Sequence, residues 1–191
     1  LDAMNTSKTF RLLSSCAALA AAAVTLPALA QGWQILPIVN DPGYKAEVSL
    51  AVTGNLVQPD QGGSLNAWGL DLNMNCGLIQ SPDKRIRTHV NFTRSNKNGV
   101  QGTGFELSPR YTAPVLNAPG LSLGFGPSIG VFRAEAGSGH RTATGLGLAA
   151  GLNYKTGGLY TGFDLRYHLT DSNGGYGDKA LIWGAKVGVN F

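Results

Sequence analysis

The chain has 191 residues, room for one domain of ordinary size and hardly for two. Charged residues make up only 14%, against about a quarter in soluble domains, while glycine reaches 27 and the net charge is +4. So dilute a charge argues against a fully solvated exterior. With no clustered run of Lys and Arg interleaved with aromatics, it also argues against a nucleic-acid partner.

Taken in chain order, the first feature is a secretory pattern. Met4 reads as the natural start, with residues 1–3 a remnant ahead of it. Lys8 and Arg11 form a positive n-region, residues 12–26 are mostly Ala, Leu and Val, and Ala28-Leu29-Ala30 is a small-x-small cleavage site before Gln31. The apolar run is shorter than the roughly 20 residues a spanning helix needs, and Pro27 follows it. Residues 1–30 are therefore expected to be a removed signal peptide. Its loss takes Cys16 and leaves Cys76 alone, so no intramolecular disulfide staples the mature chain. Residues 31–44 come next, an apolar stretch with Trp33, Ile35, Leu36, Ile38 and Val39 that fits no strand pattern.

From residue 45 onward, two-residue alternation dominates. In 64–78, Trp68, Leu70, Leu72, Met74, Cys76 and Leu78 alternate with Gly69, Asp71, Asn73, Asn75 and Gly77. Segment 45–57 sets Ala46, Val48, Leu50, Val52 and Leu56 against Lys45, Glu47, Ser49, Thr53 and Asn55. The split recurs in 85–94, 103–113, 121–132, 145–155, 159–170 and 180–191, giving eight segments. Each is close to the roughly 9–11 residues of a tilted membrane strand, and an even number returns both chain ends to one side. The polar, Gly-rich stretches 58–63, 95–101, 135–142 and 171–177 are expected as outer loops, and 79–84, 114–120 and 156–158 as periplasmic turns.

The expected fold is all-β: an eight-stranded antiparallel up-and-down transmembrane β-barrel over 45–191, with 31–44 as an N-terminal periplasmic extension. A soluble barrel would turn its apolar face inward and charge its exterior. Here the second face is Gly, Ser, Thr and Asn, which suits a narrow lumen. Trp68, Phe92, Phe105, Tyr167 and Trp183 fall near the outer strand ends, and Tyr44, Tyr111, Tyr154 and Phe191 near the periplasmic ends, as two interfacial girdles.

The closing Val187-Gly188-Val189-Asn190-Phe191 is similar to the C-terminal signature of outer-membrane proteins, and 45–191 resembles the small OmpA/OmpX-like barrel superfamily. The resemblance implies a location in the cell outer membrane, contact with its lipids including lipopolysaccharide, and recognition of Phe191 by the barrel-assembly machinery. It further implies a monomer without cofactor.

The inward face carries Glu47, Asp71, Arg85, Arg87, Glu106, Arg110, Asp164, Arg166 and Lys186 with His89 and His168. Confined charges must pair or stay hydrated. If Tyr167 lies opposite Trp183, Asp164 faces Lys186, and Asp71 lies beside Arg87 or His89. A salt-bridged, side-chain-filled lumen is the expectation, with a structural or interaction role; a small diffusion pore lined by the same groups is the alternative. An outer-membrane lipid-modifying enzyme is the second alternative. The stretch from His168 to Ser172 and Asn173 loosely resembles the His-x-Ser-Asn of lipid A deacylases, but three residues separate His from Ser instead of one, so no catalytic residue is assigned. His89, His140 and His168 are too scattered for a metal site, and Cys76 sits on the apolar face. Arg94, Lys97, Arg133, Arg141 and Lys179 fall near the outer rim, where anionic headgroups could meet them. The short outer loops leave little surface for a receptor.

Overall fold

A computed structural model describes residues 32–60, 63–171 and 179–191. The expected signal peptide, Ser172 and Asn173 lie outside the described residues. Eight strands close into an antiparallel barrel: β2 (Ser49–Pro59), β3 (Leu65–Asn75), β5 (Ile86–Lys97), β6 (Val100–Pro114), β7 (Leu121–Ala136), β8 (Gly139–Thr156), β9 (Leu159–Thr170) and β10 (Lys179–Asn190). Neighbours in sequence are neighbours in space, and β10 pairs with β2 over Asn190↔Ser49 to Ala180↔Pro59 to shut the ring. Two further strands, β1 (Gln34–Ile35) and β4 (Ile79–Gln80), form a separate pair, and a single helical turn, α1 (Pro37–Asn40), follows β1.

The alternation becomes a wall with two faces because successive side chains on a strand point to opposite sides. In β9, Asp164, Arg166, His168 and Thr170 are buried while Phe163, Leu165, Tyr167 and Leu169 are exposed. On seven of the eight barrel strands large apolar residues are exposed, among them Val52, Trp68, Phe105, Phe125, Leu148, Leu165 and Val187, the reverse of a soluble barrel. An apolar exterior needs an apolar solvent.

Several boundaries differ from the sequence expectation. The first barrel strand begins at Ser49, not at 45, because Glu47 adopts a left-handed φ of 45° that breaks the extended run. The expected loop 95–101 is a continuous hairpin. Asn98 (φ 53°) and Gly99 (φ 78°) both sit at positive φ, the geometry of a two-residue type I′ turn whose twist matches the strands. The expected loop 135–142 is likewise strand, turning at Gly137 and Ser138. Among the described residues, β8 pairs with β9 from Gly145 onward, Thr144 O accepts from Asp171 N–H (3.1 Å), and Gly139 to Ala143 pair with β7. The β5–β6 and β7–β8 hairpins lie on the rim at the end away from the termini. Arg94, Lys97, Arg133 and Arg141 are exposed on it. The loops are short as expected, but the strands themselves supply surface there.

At the termini end, the extension docks on the β3–β5 connection. Leu36 N–H donates to Leu78 O (2.8 Å), the Asn75 amide donates to Ala46 O (2.7 Å), and the Tyr44 hydroxyl donates to Asn75 O (2.6 Å). Lys84 Nζ lies 3.0 Å from Asp41. Tyr44, expected in the periplasmic girdle, thus sits in the extension and bonds the last residue of β3. Cys76, placed by its parity on the outward face, is buried to 2% exposure, and Ile86 to 8%. Gln80 of the folded-back connection bonds both backbone groups of Ile86, and Gly77, next to Cys76, lies against Ile38 and Tyr44 of the extension.

Candidate functional site: the lumen network

An eight-stranded barrel has a bore just wide enough for side chains to fill. Here the inward Asp, Glu, Lys and Arg would each be costly if isolated. Arg110, Arg166, Glu106, Asp71, His89, His168 and Tyr160 are all fully buried. They are ordered along the bore as their positions on the strands dictate.

Nearest the termini, Arg87 reaches down to the mouth. Its Nε donates to Asn73 (2.5 Å), Nη1 to Asn75 (2.8 Å) and Glu47 (3.2 Å), and Nη2 to the Glu47 carbonyl (2.6 Å). Glu47, expected inside the lumen, is exposed at its rim because the chain turns before the strand begins. Arg85 also leaves the lumen: it precedes β5, is exposed, and pairs with Asp83 at 3.4 Å.

The middle layer holds Asp71, His89, Lys186, Asp164, Arg110 and Tyr160. Lys186 Nζ lies between two carboxylates, 2.5 Å from Asp71 and 2.8 Å from Asp164. Arg110 Nη1 reaches Asp164 (2.5 Å) from β6, bridging the bore to β9. His89 Nδ1 is 3.1 Å from Asp71, and the Tyr160 hydroxyl donates to Asp71 (3.3 Å) and Asn153 (3.0 Å). A second strut crosses above it, where Arg166 binds Glu106 and also donates to Asn55 (2.9 Å). Asp71, Asp164 and Glu106 are thus met by Lys186, Arg110 and Arg166, three against three, without a charge on either histidine.

The expected pairings are therefore found, by a different register. Leu165, not Tyr167, stands opposite Trp183, and Lys186 stands opposite Gly162. Lys186 reaches Asp164 on the diagonal, which its long stem permits. Asp71 likewise faces Asn91, and meets His89 diagonally while Arg87 lies too far toward the mouth.

Above the ions sits an apolar cap that sequence reasoning missed: Phe132, Val57, Ile182 and Ala67 at the far mouth. Added β-carbons at Gly104, Gly130 and Gly145 would fall 2.8 to 3.0 Å from the Phe132 ring, so those glycines form its socket. The signal was available. The apolar runs Leu56-Val57, Val131-Phe132 and Leu181-Ile182-Trp183 break the alternation and force one apolar residue inward. Tyr160 was missed for the same reason, beside outward Leu159. The gap among Val57, Thr93, Phe132 and Ile182 measures about 20 Å³, whereas the mouth at the termini end opens into a cavity of about 290 Å³ floored by Asn75 and Arg87.

No relay for nucleophilic catalysis forms among the described lumen groups. Ser128 Oγ is 3.0 Å from His168 Nε2, with Ser108 donating to Ser128 (2.7 Å). Glu106 approaches the same nitrogen at 3.2 Å without hydrogen-bond alignment, and His168 Nδ1 has no protein partner. A triad needs the acid on one ring nitrogen and the nucleophile on the other. Asp71, His89 and Asp164 are close enough to share a cation, but the Lys186 ammonium already holds both carboxylates.

On the exterior, Trp68, Phe105, Tyr111, Tyr154, Tyr167 and Trp183 are exposed, and Phe92 packs edge-on to Trp68 at 6.2 Å. Tyr111 donates its hydroxyl to Asp83 (2.5 Å). Phe191, 77% exposed, is anchored by its amide to Val48 O (2.9 Å) at the barrel seam.

No family model matches the chain, and no curated protein does. Solved structures do. The neisserial surface protein A is 16% identical with a TM-score of 0.58, over 75% of this chain and 96% of that one. The N-terminal β-barrel domain of Pseudomonas aeruginosa OprF is 17% identical with a TM-score of 0.50, over 77% of this chain and 100% of that one. Both are eight-stranded outer-membrane barrels. At such identity the likeness concerns the backbone alone, and on that level this chain has the fold of the small eight-stranded outer-membrane barrels.

Proposed function

We propose that this chain is an integral protein of a bacterial outer membrane, a closed barrel with a structural or interaction role, neither a channel nor an enzyme. One observation carries the reading: the bore is spanned by the Arg110–Asp164 and Arg166–Glu106 struts, with Lys186 clamped between Asp71 and Asp164. A diffusion pore needs a hydrated path, and these side chains occupy it. The apolar exterior, the secretory pattern of residues 1–30 and the barrel likeness support the membrane placement. In that setting the exterior aromatics sit at the two interfaces. The basic residues of the far rim meet anionic headgroups such as those of lipopolysaccharide, and Phe191 serves recognition by the assembly machinery. The protein acts as a monomer without cofactor, and the rim formed by the β5–β6 and β7–β8 hairpins offers the surface through which an interaction role would work.

Conductance across planar bilayers tests this. The chain from Gln31, refolded and inserted, is expected to give no steady openings. Reproducible unitary currents would establish the pore instead, with Arg87, Arg110 and Lys186 as its selectivity groups. A chain that stays soluble without detergent would overturn the membrane placement.

A further inference from the structure

The alternation of the barrel wall continues outside the barrel. In the β1–β4 pair, Gln34 stands opposite Gln80 and Ile35 opposite Ile79. Gln80 is 3% exposed, its amide donating to Ile86 O (2.9 Å) and its side-chain oxygen accepting from Ile86 N–H (2.8 Å). Ile35 and Ile79 face away, 70% and 41% exposed, and Ile38 and Val39 of α1 add to them at 61% and 76%. One side of this small assembly is polar and bound to the barrel; the other is apolar and bare.

We propose that this apolar side is a membrane-contacting apron, which lies in the headgroup–acyl boundary of the periplasmic leaflet and lengthens the lipid-facing wall below β3 and β5. This rests on the outer-membrane reading. Three observations select lipid as the occupant. First, the apron lies against the wall: Gln80 bonds both backbone groups of Ile86, and Ile86 and Cys76, both of outward parity, are buried there. It therefore adjoins the end of the outward row Trp68, Leu70, Leu72 and Met74 of β3. Second, neither 33–40 nor 76–82 contains an Asp, Glu, Lys, Arg or His. Of the flanking charges, Asp41, Lys84 and Arg85 frame the cavity at the mouth, and Asp83 is taken up by the Tyr111 hydroxyl at the edge of the wall. Third, it is fixed in place. The Leu36–Leu78 backbone bond, the Asp41–Lys84 pair and the Tyr44–Asn75 bond hold it from three sides. An exposed apolar face held rigidly beside a lipid-facing wall, with Trp33 at its edge, is the composition of an interfacial anchor.

The three tryptophans, Trp33, Trp68 and Trp183, allow a test with an internal control. The full chain is expressed, and the protein is purified from the cell envelope and reconstituted into phosphatidylcholine vesicles brominated on the acyl chains near the headgroup. One variant keeps Trp33 alone (Trp68→Phe, Trp183→Phe); another keeps Trp183 alone (Trp33→Phe, Trp68→Phe). Comparable quenching of both is the expected result. Quenching of Trp183 with Trp33 untouched would overturn the apron and leave the membrane reading standing, and loss of both would overturn the two together. Trp33 protected in a sample that sediments as a dimer would assign the surface to a second copy instead. Adding Ile35→Glu and Ile38→Glu, both at exposed positions, is expected to abolish Trp33 quenching and spare Trp183. Quenching of Trp33 that survives both glutamates would refute the assignment to this patch.

Discussion

Removing the Lys186 ammonium tests whether the lumen network carries stability. Lys186→Met keeps the stem and deletes the charge that lies 2.5 Å from Asp71 and 2.8 Å from Asp164. Its side chain is 1% exposed, so solvent does not screen the loss. Breaking a buried ion pair by deleting one partner costs about 3–5 kcal/mol, because the orphaned charge stays desolvated. Asp164 keeps Arg110 at 2.5 Å, whereas Asp71 keeps only His89, Tyr160 and their neutral bonds. The lower end applies, about 3 kcal/mol, or roughly a hundredfold in the unfolding equilibrium. The assay is reversible urea unfolding in lipid vesicles, read by tryptophan fluorescence and by the heat-modifiable gel shift of folded barrels. Adding Asp71→Asn to Lys186→Met rebalances the lumen at two anions against two cations and is expected to restore most of the loss. A single variant within about 0.5 kcal/mol of the parent, or a double variant less stable than the sum of its parts, would refute the network as a source of stability.

Gly151→Ala probes the same layer from the backbone. A β-carbon there would overlap the Asp164 carboxylate and lie 2.6 Å from Arg110 Nη1, so the strut must shift, and unfolding measurements should register a loss of about 1–3 kcal/mol. Docking of the extension carries a pH signature with a defined sign. The Lys84 hydrogen bond, helped by the Gly43 amide, holds the Asp41 carboxyl below its ordinary 3.8. A lowered folded value contributes stability above the unfolded pKa and loses it as pH falls through the folded one. Protection of the Leu36 amide against hydrogen exchange, corrected for intrinsic rate, should stay flat through neutrality and drop only below about pH 4. Asp41→Asn should remove that component; a drop centred near pH 6 would refute it.

Strand count and sidedness were legible because period-two alternation is written into each segment separately, whatever it later pairs with. Asp71, Glu106, Arg110, Asp164, Arg166 and Lys186 could be placed inside from parity alone. The Asn98-Gly99 turn was equally legible, yet a polar composition over 95–101 suggested a loop where local φ preferences make a hairpin. Which inward charge meets which was not legible. A shift of two residues leaves every side chain on its face, so parity cannot distinguish Leu165 from Tyr167 opposite Trp183. Only closure of the ring, which fixes the stagger of all eight strands at once, settles that register and carries Arg110 and Arg166 across the bore. The Phe132 cap needed the same closure to bring Val57 of β2 and Ile182 of β10 against a ring carried by β7. Docking of residues 32–48 is tertiary throughout: a positive φ at Glu47 and bonds to a turn some forty residues away place an apolar segment that no periodicity describes. The sequence by itself determined a barrel with an apolar outside and a polar inside, because those are properties of single strands; the tertiary structure decided that the inside is closed, because closure depends on contacts between strands remote in the chain.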